Sequence, residues 1–198
     1  MPFPLSDASR RAIEHHFRKR AFFWNEKYFL SVIANSAKKH DAYWSAIGLR
    51  EVGTQESLNV LQGLLTHPMK DVKCVAALTL AHVGRSQATE ILGAALLDPK
   101  YPEKAYAMWA INDAADVRAV PSVVKYFVKN RSKIRRGELT NGTIVEGIQF
   151  LSKYSSSSED ARDFLAEFRS LFSCIAEGER SELTKRLPDL TQRFAGDA

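Results

Sequence analysis

The sequence predicts an all-α chain of stacked helical hairpins, and three observations carry that expectation. The stretch SAIGLREVG, Ser45 to Gly53, returns 31 residues later as AALTLAHVG, Ala76 to Gly84. Apolar residues recur at three- and four-residue spacing along the chain, and the strict alternation of a half-buried strand is absent. Gly53, Pro68, Gly84 and Pro99 fall where hairpins of that length would have to turn. An apolar fraction of 45% over 198 residues is enough for a core.

The repeat survives a residue-by-residue test. Set against residues 76–99, residues 45–68 give 7 identities in 24: Ala46/Ala77, Leu49/Leu80, Val52/Val83, Gly53/Gly84, Leu61/Leu92, Leu65/Leu96 and Pro68/Pro99. A fixed period in this range marks an array in which each unit is one supersecondary element.

The elements follow in chain order. Residues 6–20 and 26–39 read as an N-terminal helix pair, with Ile13 and Phe17, then Phe29, Val32 and Ile33, facing inward. In unit one, Asp41 is the expected N-cap of a helix carrying Trp44, Ile47, Gly48 and Val52, and Gly53 its left-handed stop. Thr54 is the next N-cap, Leu58, Leu61, Leu64 and Leu65 form the second stripe, and His67-Pro68 ends it. Unit two repeats this with Asp71 as cap, Val75, Leu78 and Val83, Gly84 as stop, Ser86 as cap, and Ile91, Leu92 and Leu96 before Asp98-Pro99. Pro102 suits the first turn of unit three, whose inner face is Ala105, Met108, Trp109 and Ile111. Val123 and Val124 then stand opposite Ile91 and Leu92 with one residue inserted.

A fourth hairpin starts at Asn141 with Ile144, Val145, Ile148 and Leu151, crosses the serines at 155–158, and continues through Phe164, Leu165, Phe168, Leu171, Phe172 and Ile175 to Gly178. Leu183, Leu187, Leu190 and Phe194 form a last stripe bent at Pro188. The expected organisation is one solenoid over residues 1–198. Cap helices occupy 1–40, about four hairpin repeats occupy 41–176, and a C-terminal cap occupies 177–198. End units of such an array must shield an outer face, so the caps depart from the repeat.

The lines DAYWSAIGLREVGTQESLNVLQGLL, DVKCVAALTLAHVGRSQATEILGAAL and AMWAINDAADVRAVPSVV resemble HEAT repeats of the short bacterial type found in phycobilin lyases. The resemblance covers residues 41–130 and, by extension, reaches about 176. It implies a right-handed α-solenoid with the second helices lining a concave face. It implies no activity, because that group spans lyase subunits, scaffolds and proteins that neutralise toxins.

Chemistry therefore has to come from particular residues, and most familiar patterns are missing. There is no GxxxxGK[ST], GxGxxG, HExxH or GxSxG, so no phosphate loop, dinucleotide fold, zincin or nucleophile elbow is expected. Cys74 and Cys174 lack metal spacing and are expected as buried reduced thiols, with a disulfide as the alternative. His15, His16, His40, His67 and His82 have ordinary explanations at helix flanks and ends. No catalytic residue, no metal site and no cofactor is expected. No run of about 18 apolar residues and no signal-like N-terminus appears, so the chain is expected to be cytoplasmic, without a membrane span.

Trp109 and Asp113 share one helix face, a spacing that HEAT-like alkylpurine DNA glycosylases use to hold a cationic lesion. The competing reading, favoured here, makes Trp109 a core residue at the position of Leu78 and Ile47.

Charge is distributed in blocks. The balance is +5 over residues 1–40, −2 over 41–120, +5 over 121–153 and −3 beyond. The second positive block, KYFVKNRSKIRR, is the strongest surface feature. Lys125 and Lys129 are expected on the exposed side of unit three's second helix, at the positions of Asn59/Gln62 and Glu90/Gly93. Arg131, Lys133, Arg135 and Arg136 are expected in the following loop.

These nine groove residues, Asn59, Gln62, Glu90, Lys125, Lys129, Arg131, Lys133, Arg135 and Arg136, form the expected partner-binding surface. The expected partner is another protein with an acidic face. A bacterial immunity protein masking a toxin is one concrete form, and no small-molecule substrate is evident. Nucleic-acid binding, passive or glycosylase-like, is the alternative, against which Glu51, Glu56 and Glu90 interrupt a continuous positive track. A bilin-lyase role rests on resemblance alone.

Overall fold

The computed structural model describes residues 5–38 and 40–195. Lys39, at the end of the expected 26–39 helix, and the outer ends of the two expected caps, 1–4 and 196–198, lie outside the described residues. Among the described residues every regular element is helical. They are α1 (Asp7–Phe17), α2 (Glu26–Asn35), α3 (Asp41–Val52), α4 (Leu58–Leu64), α5 (Lys70–Gly84), α6 (Thr89–Leu97) and α7 (Lys104–Ala114), followed by α8 (Val120–Lys129), α9 (Arg131–Arg135), α10 (Thr143–Tyr154), α11 (Glu159–Phe168), α12 (Glu177–Arg186) and α13 (Pro188–Ala195). Short 3-10 turns at Gln55–Ser57, Arg85–Ala88, Val117–Ala119 and Arg169–Cys174 complete the path.

Polar side chains start several of these helices as the sequence requires. Ser6, Asn25, Thr54, Asp116 and Ser158 each accept a hydrogen bond from a free N–H of the turn that follows. Other expected boundaries shift. Asp41 and Asp71 are not caps: α3 and α5 begin after His40 and Met69, neither of which bonds the first turn. Ser86 lies inside a 3-10 turn and caps nothing. Gly53 is extended (φ −71°, ψ 144°), so it is not a left-handed stop. After α5 the residue with positive φ is Arg85 (φ 48°), not Gly84. Pro102 stands two residues ahead of α7 instead of in its first turn. Gly178 lies within α12, because the helical path of the preceding stripe breaks into the 3-10 turn at Arg169.

The helices form an all-α solenoid of two layers. In the first layer α2, α3, α5, α7 and α10 pack side by side in order. The second helices sit over the seams: α4 rests chiefly on α5, α6 chiefly on α7, and α8 on α6, α10 and α11. Each unit therefore buries its second helix against its successor, which explains why a single hairpin of this kind needs a neighbour. Leu49, Leu61, Leu80, Leu92, Met108, Ile111, Val123, Phe127, Ile148 and Phe168 are fully enclosed along this double layer.

Two glycines permit close contact at corresponding places. A Cβ on Gly48 would meet the Phe29 ring at 2.4 Å, and one on Gly147 would meet the Phe127 ring at 2.4 Å. In both cases the tip of a buried ring comes up against a first-layer backbone.

The ends are fastened by carboxylates. Asp41, 1% exposed, lies 2.8 Å from His16 Nε2 and 2.7 Å from Arg20 Nη2, and accepts from Ser36 Oγ. Burial raises its pKa, but those hydrogen bonds and the Arg20 charge outweigh it and hold the group below its ordinary value. Glu26 of α2 accepts from Thr54 N (2.8 Å) and Ser57 Oγ (2.5 Å), capping the start of the next hairpin layer from outside. At the other end, buried Glu179 of α12 accepts from Gly142 N (2.5 Å) and Val145 N (3.1 Å), capping α10. Of the cysteines, Cys74 is buried and Cys174 half-buried, and both are free thiols. No helix among the described residues is long and apolar enough to cross a membrane.

Candidate partner-binding surface

The surface begins with the C-terminal ends of α6 and α8. A helix end leaves carbonyls without intrahelical partners, and Lys104 serves that need at α6. Its Nζ donates to Ala95 O at 2.9 Å and to Asp98 O, and lies 5.7 Å from the centre of the Tyr101 ring. Burial, then the neighbouring Lys129 charge, lowers its pKa from 10.5 to about 8, against the opposing pull of Asp98. Tyr101 is fully enclosed beneath it. Asn130 closes α8 by donating from Nδ2 to Tyr126 O at 2.8 Å.

Together these groups shape a cavity of about 260 Å³, open on one side and lined by Lys104, Lys129, Lys133, Tyr126 and Asn130. One helix over, between α4 and α6, lies a second cavity of about 160 Å³ that includes Gln62, Thr66 and Ile91. Tyr101 lines both.

The expected surface residues do not all meet there. Lys129 and Lys133 line the larger cavity and Gln62 the smaller. Asn59, Lys125 and Arg135 are exposed. The second helices start at Leu58, Thr89 and Val120, 31 residues apart, so no residue is inserted in unit three: Lys125 stands in the place of Gly63 and Ala94, and Lys129 in that of His67 and Asp98. Glu90 sits near the opposite end of α6, 3.2 Å from Arg118 Nη1. The segment after α8, expected as a loop, is the short helix α9.

Arg131 is turned away to Glu167 of α11, and Arg136 is held by Glu138 with Nε 2.6 Å from Oε1. That leaves Lys125, Lys129, Lys133 and Arg135 without a carboxylate in direct ion-pair contact among the described residues, although Lys133 is near enough to Glu138 to help lower its pKa. Sequence reasoning missed Lys104, Tyr101 and Asn130. Their roles depend on chain ends meeting across two units, which no local pattern records.

Trp109 corrects the core expectation made for it. It is 38% exposed on α7, tilted against Tyr106 at 5.2 Å, with Gly142 beneath its indole nitrogen. Its counterparts Ile47 and Leu78 are likewise only half-buried. Asp113 is exposed on the same helix, which belongs to the first layer, away from the lysine cavity.

Residues 27–112 match the family of HEAT repeats, whose members are generally protein-interaction scaffolds and not catalysts. No curated protein matches the chain, and no solved structure does.

Proposed function

Since the chain is a HEAT-like repeat protein, we propose that it is a non-catalytic binding solenoid that holds an acidic partner protein on its second-helix face. On this reading residues 1–198 act as one array of four hairpins between two caps. An adaptor, or a bacterial immunity protein that masks a toxin, is the concrete form.

The observation that carries the reading is the set of four cations on α8 and α9, Lys125, Lys129, Lys133 and Arg135, that make no ion pair among the described residues, beside arginines that are already engaged. Such a cluster steers an acidic surface toward the groove, and association should be fast and fall with salt.

The test is photocrosslinking in cells from a reactive residue placed at Asn59, compared with a chain in which Lys125, Lys129 and Arg135 are changed to Glu. Adducts to an acidic polypeptide that disappear in the variant, at unchanged melting temperature, are the expected result. Unchanged adducts, or adducts to nucleic acid alone, would discard the reading.

A further inference from the structure

The two cavities along α6 differ in chemistry and share a wall, and this pairing says more than charge alone. The smaller is built from Leu65, Ile91, Ala94 and Ala95, with Gln62 and Thr66 at its rim. Its volume of about 160 Å³ is that of a space that takes one benzene-sized group. The larger, about 260 Å³, carries three ammonium groups. An ammonium has three donors, and Lys104 has given two of its own to carbonyls, keeping one. Lys129 and Lys133 have given none to a carboxylate among the described residues.

We propose that the pair is a receptor for an extended acidic segment of a partner protein, seating one apolar side chain between α4 and α6 and a carboxylate among Lys104, Lys129 and Lys133. The inference rests on the protein-binding reading given above and specifies what is bound. Its spacing follows from the fold. The two cavities occupy successive seams, about 8–10 Å apart for packed helices. An extended chain advances about 3.3 Å per residue. The apolar and acidic anchors therefore stand about three residues apart.

The same geometry argues against a nucleic-acid strand. A phosphate chain carries a charge at every step, yet the neighbouring cavity is lined by Leu65, Ile91, Ala94 and Ala95 and offers no cation. Bases need exposed ring faces to stack on, and Tyr101 and Tyr126 are 1% and 6% exposed.

The experiment uses the full chain and a fluorescein-labelled twelve-residue peptide with Leu-x-x-Glu-Glu in a Gly/Ser background, together with its reversed order. Leu→Ser and Glu→Gln peptides should each bind at least about tenfold more weakly by fluorescence anisotropy. Ala94→Arg, at an exposed position on the smaller cavity, should abolish the leucine dependence. Lys129→Glu/Lys133→Glu should weaken the Glu peptide by a similar factor and favour a Leu-x-x-Lys-Lys peptide instead. Both variants change exposed side chains, and unchanged thermal melting confirms their fold.

Equal binding of the Glu→Gln peptide, displacement by a single-stranded oligonucleotide in preference to peptide, or no binding of either peptide order at millimolar concentration overturns the proposal. If cellular adducts to an acidic protein persist while the peptides fail, the two-cavity receptor falls and the protein-binding reading stands. If both are lost, the reading itself falls.

Discussion

Replacing Asp41 by Asn removes one charge from the joint between the N-terminal cap and the first repeat. Asp41 is 1% exposed and takes three hydrogen bonds, from Ser36, His16 and Arg20. A hydrogen bond to an ionised group contributes about 1.5–3 kcal/mol, and a neutral one about 0.5–1.5, so each of the three loses roughly 1 kcal/mol. The Asn amide also turns an N–H toward donors. Arg20 and His16 are 31% and 24% exposed and recover some hydration, which holds the total near 3 kcal/mol instead of the 3–5 of a fully dry pair.

With a urea m-value of about 3 kcal/mol/M, the midpoint should fall by about 1 M. In a stacked array the loss should concentrate at the end, so hydrogen exchange should rise in α1 and α2 well before α7. The pH dependence has a definite sign. A carboxyl held below its ordinary value of 3.8 contributes stability that is complete above that value and is lost as pH falls through the folded one. Below about pH 3.8 the parent chain should therefore lose stability more steeply than the variant. A midpoint shift under about 0.3 M, uniform exchange along the chain, or parallel acid profiles would refute the assignment.

Two further substitutions and one titration follow from the same contacts. Gly147→Ala should cost up to about 2 kcal/mol: overpacking against the Phe127 ring costs about 1–3, and helix propensity returns about 1. Gly63→Ala, with nothing within 4 Å, should stabilise by up to about 1 kcal/mol in a thermal melt, and a gain at both glycines would contradict the packing account. Lys104 should acetylate in competitive labelling with a midpoint near pH 8, well below ordinary lysines, and a midpoint near 10.5 would show that its amine is not desolvated. Because its folded value is lowered, the cost of burying its charge is full below pH 8 and is relieved between pH 8 and 10.5, so this group adds stability as pH rises through that window.

What was legible in the sequence was whatever the repeat period encodes. Leu49 and Leu80, Leu61 and Leu92, and Leu65 and Leu96 occupy matching buried places because each unit meets its neighbour in one way. Helix starts were legible where a side chain caps its own turn, as at Thr54. They are not legible at Asp41, whose carboxylate serves a helix 25 residues earlier in the chain. Repeat position does not report burial at Trp109 either, since the equivalent Ile47 and Leu78 are half-buried too. Of the surface, the lysines could be located by composition. Which cations are already engaged could not, since Glu167 reaches Arg131 from another hairpin.

That division of cations bears on how a partner would be chosen. Around α8 and α9 the arginines at 131 and 136 are bound to carboxylates, whereas the lysines at 125, 129 and 133, with Arg135, make no ion pair among the described residues. A guanidinium fork suits fixed, paired geometry; an ammonium is a mobile, strongly hydrated point charge. A face dominated by such points attracts any acidic surface at long range but discriminates poorly among them. Discrimination has to come from a feature with shape, and the apolar cavity beside Ile91 supplies one next to the charge. Charge would then govern how quickly a partner arrives, and the fit of one apolar side chain how long it stays. Mutations at Lys129 should therefore act mainly on the association rate, and mutations at Ala94 mainly on dissociation.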